Sequence, residues 1–180
     1  MLRATVPDPT RLLDPARLGD HVDRLYRAAW ALCGSREDAE DLVQETFAKV
    51  LAKPRRIAGS EELPYLLVTL RHTFLSGRRT AARRPRTGPL PADAEPIDHR
   101  SAMRPEQAAG AREVFAAIAA LPEHFRDALV AVDVAGLSYG EAGRLLDVPE
   151  ATIASRLHRA RAHVAARMDP VRAGVHKSEP

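Results

Sequence analysis

The sequence predicts an all-α protein: two small helical domains joined by a flexible linker, the second carrying a helix-turn-helix. Three observations support this. Apolar residues recur at three- and four-residue spacing through most of the chain. No run of β-branched residues alternates as a strand requires. Between the two periodic stretches lies a segment with Pro89, Pro91 and Pro96, and Pro105 at its edge, a composition that favours extended chain. The expected organisation is an N-terminal flexible arm over 1–17, a helical domain over 18–87 and a linker over 88–107. A helix-turn-helix domain over 108–168 and a flexible tail over 169–180 complete it.

Composition narrows the function. The 180 residues carry a net charge of +3 and are 45% hydrophobic but only 4% aromatic, with Ala and Leu dominant, as helices prefer. The moderately basic balance suits nucleic acid without requiring it. The single cysteine, Cys33, excludes an internal disulfide and a multi-cysteine zinc site, and reads as a buried, inert thiol. No apolar run approaches a membrane span and the N-terminus has no apolar signal core, so a cytoplasmic protein without membrane insertion is expected. No H-E-x-x-H, phosphate-binding glycine loop or nucleophile constellation occurs. His158 and His163 stand five apart, off a common helix face. The sequence therefore points to no enzyme, no cofactor and no metal.

Taken in order, the elements are as follows. Residues 1 to 17 hold Pro7, Pro9 and Pro15 with little periodicity, and read as a loose arm. From Leu18 to Cys33 an apolar stripe (Val22, Leu25, Tyr26, Ala29, Leu32, Cys33) marks a helix ended by Gly34. Ser35 and Asp38 have capping-box spacing and open a helix over Arg36 to Lys53. Carboxylates in its first turn suit the macrodipole. Asp41, Gln44 and Glu45 extend the acidity further than the dipole explains. That surface suits a basic protein partner, but the pattern alone favours an ordinary solvated helix face.

Pro54 ends this helix, and a loop over Lys53 to Ser60 contains Arg55 and Arg56. A helix follows over about Glu61 to Arg79. From Leu63 to Ala92 there is no Asp or Glu, while Arg71, Arg78, Arg79, Arg83, Arg84 and Arg86 all lie there. Six uncompensated arginines repel one another unless an anion binds, and phosphate backbone is the natural one. Tyr65 and His72 add rings for bases.

In the second domain, Ala108 to Leu121 and Phe125 to Val132 suggest two helices. Ser138 and Glu141 form a capping box, Asp147-Val148-Pro149 breaks the pattern, and Pro149 suits the first position of the next helix. Ile153, Leu157, Ala160 and Val164 give that helix one buried face. Thr152, Ser155, Arg156, Arg159 and His163 lie elsewhere on its wheel. A DNA-reading helix and a bundle helix with a solvated face fit this stretch equally well on its own.

Two motifs in order add a resemblance. SREDAEDLVQETFAKV over Ser35 to Val50 resembles the second-region helix of the bacterial extracytoplasmic-function (ECF) sigma factors. LPEHFRDALVAVDVAGLSYGEAGRLLDVPEATIASRLHRAR over Leu121 to Arg161 resembles their fourth region. The resemblance implies a promoter-specificity subunit of RNA polymerase. Asp38, Asp41, Gln44 and Glu45 would dock on the clamp helices of the polymerase largest subunit. Arg55, Arg56, Tyr65, Arg71, His72, Arg78 and Arg79 would serve the −10 element, the loop at Arg55 to Ser60 taking a flipped base. Ser138, Thr152, Ser155, Arg156 and Arg159 would serve the −35 element. Promoter DNA, duplex and melted, is thus an implied partner. Many members are held by an anti-sigma factor, though no residue here identifies one. The runner-up reading is a stand-alone helix-turn-helix regulator, which leaves the acidic helix and the arginine run without a role. The chain departs from the family pattern at His72, Ser76, Ala154, Gly143 and Asp147. Gly143 in place of the usual Ala implies a cost of up to about 1 kcal/mol in helix stability.

Overall fold

The computed structural model describes residues 10–58, 61–83 and 105–169, with side chains from Gly110 onward in the last stretch. The linker expected over 88–107 lies largely outside these residues, as does the outer part of each terminal segment.

The first unit begins with a short strand, β1 (Arg11–Leu12), and a 3-10 turn, Pro15–His21, capped by the Asp14 side chain, which accepts from the Ala16 amide. Three helices follow: α1 (Val22–Cys33), α2 (Arg36–Ala52) and α3 (Glu62–Arg83). Between α2 and α3 lies β2 (Arg56–Ile57), antiparallel to β1 with Arg11 opposite Ile57 and Leu12 opposite Arg56. The second unit contains α4 (Pro105–Ala119), α5 (Glu123–Leu129), α6 (Tyr139–Leu146) and α7 (Glu150–Met168). A π-helical turn, Val130–Val134, extends α5.

Local signals explain most boundaries. Gly34 closes α1 in the left-handed region (φ 83°), its amide bonded to the Trp30 carbonyl. The Ser35 hydroxyl accepts from the Asp38 amide at 3.2 Å and caps α2. At α6 the full reciprocal box forms. The Ser138 hydroxyl accepts from the Glu141 amide, and the Glu141 carboxylate accepts from the Ser138 amide at 2.8 Å. These bonds from Ser138 hold the Glu141 carboxyl below its ordinary range.

The structure differs from the sequence reading in several places. Residues 10–17, read as loose because of their prolines, pair with the chain after α2, and Leu13 in this stretch and Leu18 beyond it are buried. Pro149 is the N-cap of α7, one position earlier than expected. α3 runs four residues past the expected Arg79. The π turn was not foreseen. Its extra residue per turn leaves Ala135 bonded to the Val130 carbonyl, and it presents Asp133 to a bidentate ion pair with Arg161 of α7 at 2.7 and 2.9 Å.

The units are not merely tethered. α1 packs against α2 and α3 of its own unit and against α4 and the π turn of the other. Leu25, Ala28, Ala29, Trp30, Ala31 and Leu32 are all buried, so α1 is covered almost all round and one continuous core serves both units. The small side chains of its alanines let neighbours approach on several sides.

Candidate polymerase and nucleic-acid interfaces

Asp38, Asp41, Gln44 and Glu45 are all exposed on α2. Asp38, Asp41 and Glu45 share one side and line an open groove with Thr73, Phe74, Gly77 and Arg78 of α3 and Arg126 of α5. Two of the acids are partly engaged. Asp38 accepts from the Ser35 hydroxyl at 2.8 Å, and Glu45 pairs with Lys49 one turn on at 2.7 Å. Asp41 and Gln44 have no such partner among the described residues.

The arginine-rich helix splits the predicted set into two stripes. Seven residues nearly complete two turns, so Tyr65, His72 and Arg79 align, and Arg71 and Arg78 align beside them. His72 and Arg79 face solvent, and Tyr65 is half-buried. Arg71 instead faces the second unit. Its Nε donates to Asp127 Oδ2 at 2.7 Å, and Nη2 stands 3.6 Å from Glu123. Arg78 lies over the Phe74 ring at 5.7 Å, and Arg126 approaches the same ring at 5.1 Å. Burial lowers the affinity of Arg126 for its proton and raises that of the Asp127 carboxylate, against the opposing pull of Arg71.

Arg55 and Arg56 are exposed in the loop before α3, where Arg56 donates to the Thr10 carbonyl at 3.0 Å. Gly59 and Ser60 of that loop lie outside the described residues.

In the helix-turn-helix, Ile153, Leu157 and Ala160 are fully buried and Val164 is half-buried, as its stripe predicts. Ser155 and Arg159 are exposed, and Thr152 and Arg156 are half-exposed. The Ser155 hydroxyl donates to the Thr152 carbonyl at 3.0 Å. Arg161 is committed to Asp133, whereas Arg156 and Arg159 make no ion pair among the described residues. The turn itself is tight. Asp147 is left-handed (φ 54°), and both its amide and that of Val148 bond back to the Gly143 carbonyl, which seals α6.

Two descriptions of known families match in chain order: sigma-70 region 2 over residues 18–84 and sigma-70 region 4 over residues 111–164. The chain is 33% identical over 152 residues to the ECF RNA polymerase sigma factor EcfG of Rhodopseudomonas palustris, covering 81% of this chain and 79% of that protein. The chain belongs to the ECF RNA polymerase sigma factors. SigE of Mycolicibacterium smegmatis is 38% identical over 146 residues, which is 78% of this chain and 56% of that longer relative. Among solved structures, the sigma factor RpoE from Bartonella quintana, in complex with the anti-sigma factor NepR, superposes with a TM-score of 0.62. It is 23% identical and covers 87% of this chain and 98% of that one. CnrH, solved with the cytosolic domain of CnrY, gives 0.57 at 19% identity, covering 86% of each chain. These likenesses bear on the fold.

For this sigma factor the turn corrects one sequence inference. Gly143 is not a weak substitute for alanine. A Cβ there would stand 2.8 Å from the Val148 carbonyl oxygen, a backbone atom that cannot step aside cheaply. Helix propensity alone predicts that Gly143→Ala stabilises by up to about 1 kcal/mol. Overpacking of about 1 to 3 kcal/mol acts in the opposite sense. The clash wins, so the variant should unfold at lower urea concentration than the parent. A higher midpoint would show that the turn relaxes freely.

Arg126 and Asp127 were given no role by sequence reasoning. Each is about 5% exposed or less, and nothing in the charged sequence of α5, EHFRDAL, marks these two as the buried ones. Among the described residues no group of His, Cys, Asp and Glu could hold a metal ion, and no helix is long and apolar enough to cross a membrane.

Proposed function

We propose that this chain is a non-catalytic initiation subunit that works in the cytoplasm, binds core RNA polymerase, and recognises and melts promoter −10 and −35 elements. The observation that carries this is the presence of both sigma regions, in order, on one chain, with the acidic side of α2 and one side of α7 both exposed. Asp38, Asp41, Gln44 and Glu45 meet the clamp helices of the polymerase largest subunit. The loop at Arg55 and Arg56 captures a −10 base, and Tyr65, Arg71, His72, Arg78 and Arg79 hold the melted strand by stacking and phosphate contact. Arg71 reaches that strand by exchanging Asp127 for a phosphate. Ser138, Thr152, Ser155, Arg156 and Arg159 read the −35 duplex, in which phosphate contacts position the helix and base contacts choose the sequence. The solved neighbour RpoE from Bartonella quintana is bound to the anti-sigma factor NepR, and a partner of that kind here would compete for the same α2 surface.

The decisive test is run-off transcription with core polymerase on genomic fragments, beside duplex binding by the chain alone. Polymerase-dependent starts with weak solitary binding are expected. Tight sequence-specific binding without polymerase would instead favour a stand-alone regulator. Within this reading, Asp41→Lys should weaken core polymerase binding about 5- to 50-fold, the scale of one reversed interfacial charge. Its melting temperature should hold, because Asp41 is exposed and unpaired among the described residues. Unchanged affinity in a pull-down would sink the clamp assignment.

A further inference from the structure

We propose that the segment Thr10–His21 is a strap that fixes the −10 loop, and that Glu62 is the positioning residue that anchors it. The inference rests on the reading of the loop after α2 as the base-capturing element. Glu62 is the acid in the first turn of α3 and is 1% exposed. Three basic side chains converge on it, all from the strap. Arg11 hydrogen-bonds it directly, His21 Nε2 stands 3.4 Å away and Arg17 Nη2 3.7 Å away. A buried carboxylate left without partners is strongly unfavourable, so the pairing ties the strap to the start of α3.

From that anchor the strap runs along the loop. Arg11 and Leu12 pair with Ile57 and Arg56 in the ladder, and the Leu13 amide donates to the Arg55 carbonyl at 3.1 Å. The Arg56 guanidinium closes back onto the Thr10 carbonyl, and Leu13 and Ile57 are both buried. The loop is thus held at its entrance by the ladder and near its exit by Glu62. Among the described residues between α2 and α3, only Arg56 and Ile57 are strand, and Glu61 is a 3-10 residue whose amide bonds the Ala58 carbonyl at 2.9 Å. A pocket for an unstacked base needs its walls in place before the base arrives, since ordering them on binding subtracts from affinity. The strap supplies that order. Among the described residues it shares no hydrogen bond or ion pair with Asp38, Asp41, Gln44 or Glu45, so polymerase binding and base capture should separate.

The experiment uses the full chain with Arg11→Ala and Glu62→Gln, and Arg11→Lys as the conservative control. Leu13 amide exchange is followed first, because it reports the strap directly. Acceleration of about tenfold is expected in Arg11→Ala and Glu62→Gln, the equivalent of one lost charge-assisted bond, and little in Arg11→Lys. Next, holoenzymes are compared on promoters bearing each of the four bases at the captured position, with permanganate reactivity as the measure of opening. Core polymerase affinity should stay at the parental level. Opening should fall about three- to thirtyfold, and the preference among the four bases should flatten, with Arg11→Lys restoring both. Faster exchange with the parental base preference overturns the positioning role, as does a loss of opening matched by an equal loss of polymerase affinity. Unchanged exchange overturns the strap itself. Should the parent chain open no promoter with core polymerase, the sigma reading fails, and the exchange result alone then decides whether the strap exists. If Glu62→Gln does not fold, Arg11→Ala carries the test, since that side chain is partly exposed.

Discussion

Trp30→Ala should destabilise the protein by about 3 to 5 kcal/mol, the range for removing a large aromatic from a packed core. Trp30 is 4% exposed. Its ring lies 4.4 Å from that of Phe115 on α4, and the Arg36 guanidinium covers it at 4.6 Å. The indole is therefore a central apolar contact between the two units, and α1 has no spare apolar surface with which to replace it. Against a typical total stability of about 5 to 15 kcal/mol this is a large fraction. Denaturant unfolding should show the loss, and small-angle scattering of the folded variant should show a larger radius as the units part. Phe115→Ala should resemble it, and the double variant should lose less than the sum by about 0.5 to 1.5 kcal/mol, the ring-pair coupling. Strict additivity would mean that the rings touch without supporting each other.

Arg71→Ala should cost more than Asp127→Asn, although both break the same pair. Arg71 keeps about a quarter of its side chain in water, whereas Asp127 keeps 3%. Removing the arginine leaves the buried carboxylate without its hydrogen-bonded partner and with only the longer contact to Arg126 Nε at 3.8 Å, and a cost of about 2 to 4 kcal/mol follows, just under the range for fully buried pairs. Asn at 127 keeps an acceptor for the Arg71 Nε and has no charge to desolvate, so about 1 kcal/mol is expected. The pH dependence gives a second handle. Burial already raises the Asp127 carboxyl, opposed by the bond from Arg71, and deleting Arg71 raises it further. A carboxyl whose folded pKa exceeds its unfolded value loses stability as pH rises between the two. The deficit of Arg71→Ala should therefore shrink on acidification from pH 7.5 toward 5, when compared with the parent at each pH. A deficit that is constant, or that grows on acidification, would show that Asp127 finds another counter-charge.

What the sequence disclosed was local, and what it withheld was contact between distant segments. The N-cap at Ser35, the capping box at Ser138 and the stripe Ile153, Leu157, Ala160 each depend on residues within a few turns and are found, although at Ser35 only the hydroxyl half of the expected box forms. Gly143 was misread because its reason is the Val148 carbonyl across the turn, which no propensity scale contains. Residues 1–17 looked loose because prolines punctuate them, yet a two-residue ladder and one buried acid, Glu62, 51 positions from Arg11 and 45 from Arg17, hold residues 10–17. The six arginines were read as one basic surface. The helix turns Arg71 toward an acid of the second unit, which only the packing of two separately legible halves reveals.

That packing also makes the lone cysteine a gauge. Cys33 lies in the groove that Ala119 and Arg126 border, and burial, with help from nearby Asp38, pushes its thiol up to about 12 from an ordinary 9.0. At neutral pH only about one molecule in 100,000 then carries the reactive thiolate. Cys33 is only half-buried here, and if the second unit swings away its sulfur is hydrated further and that fraction climbs, by up to about a thousandfold if the ordinary value returns in full. Alkylation of a single native residue can thus time how often the halves separate, with no engineered label and no foreign probe.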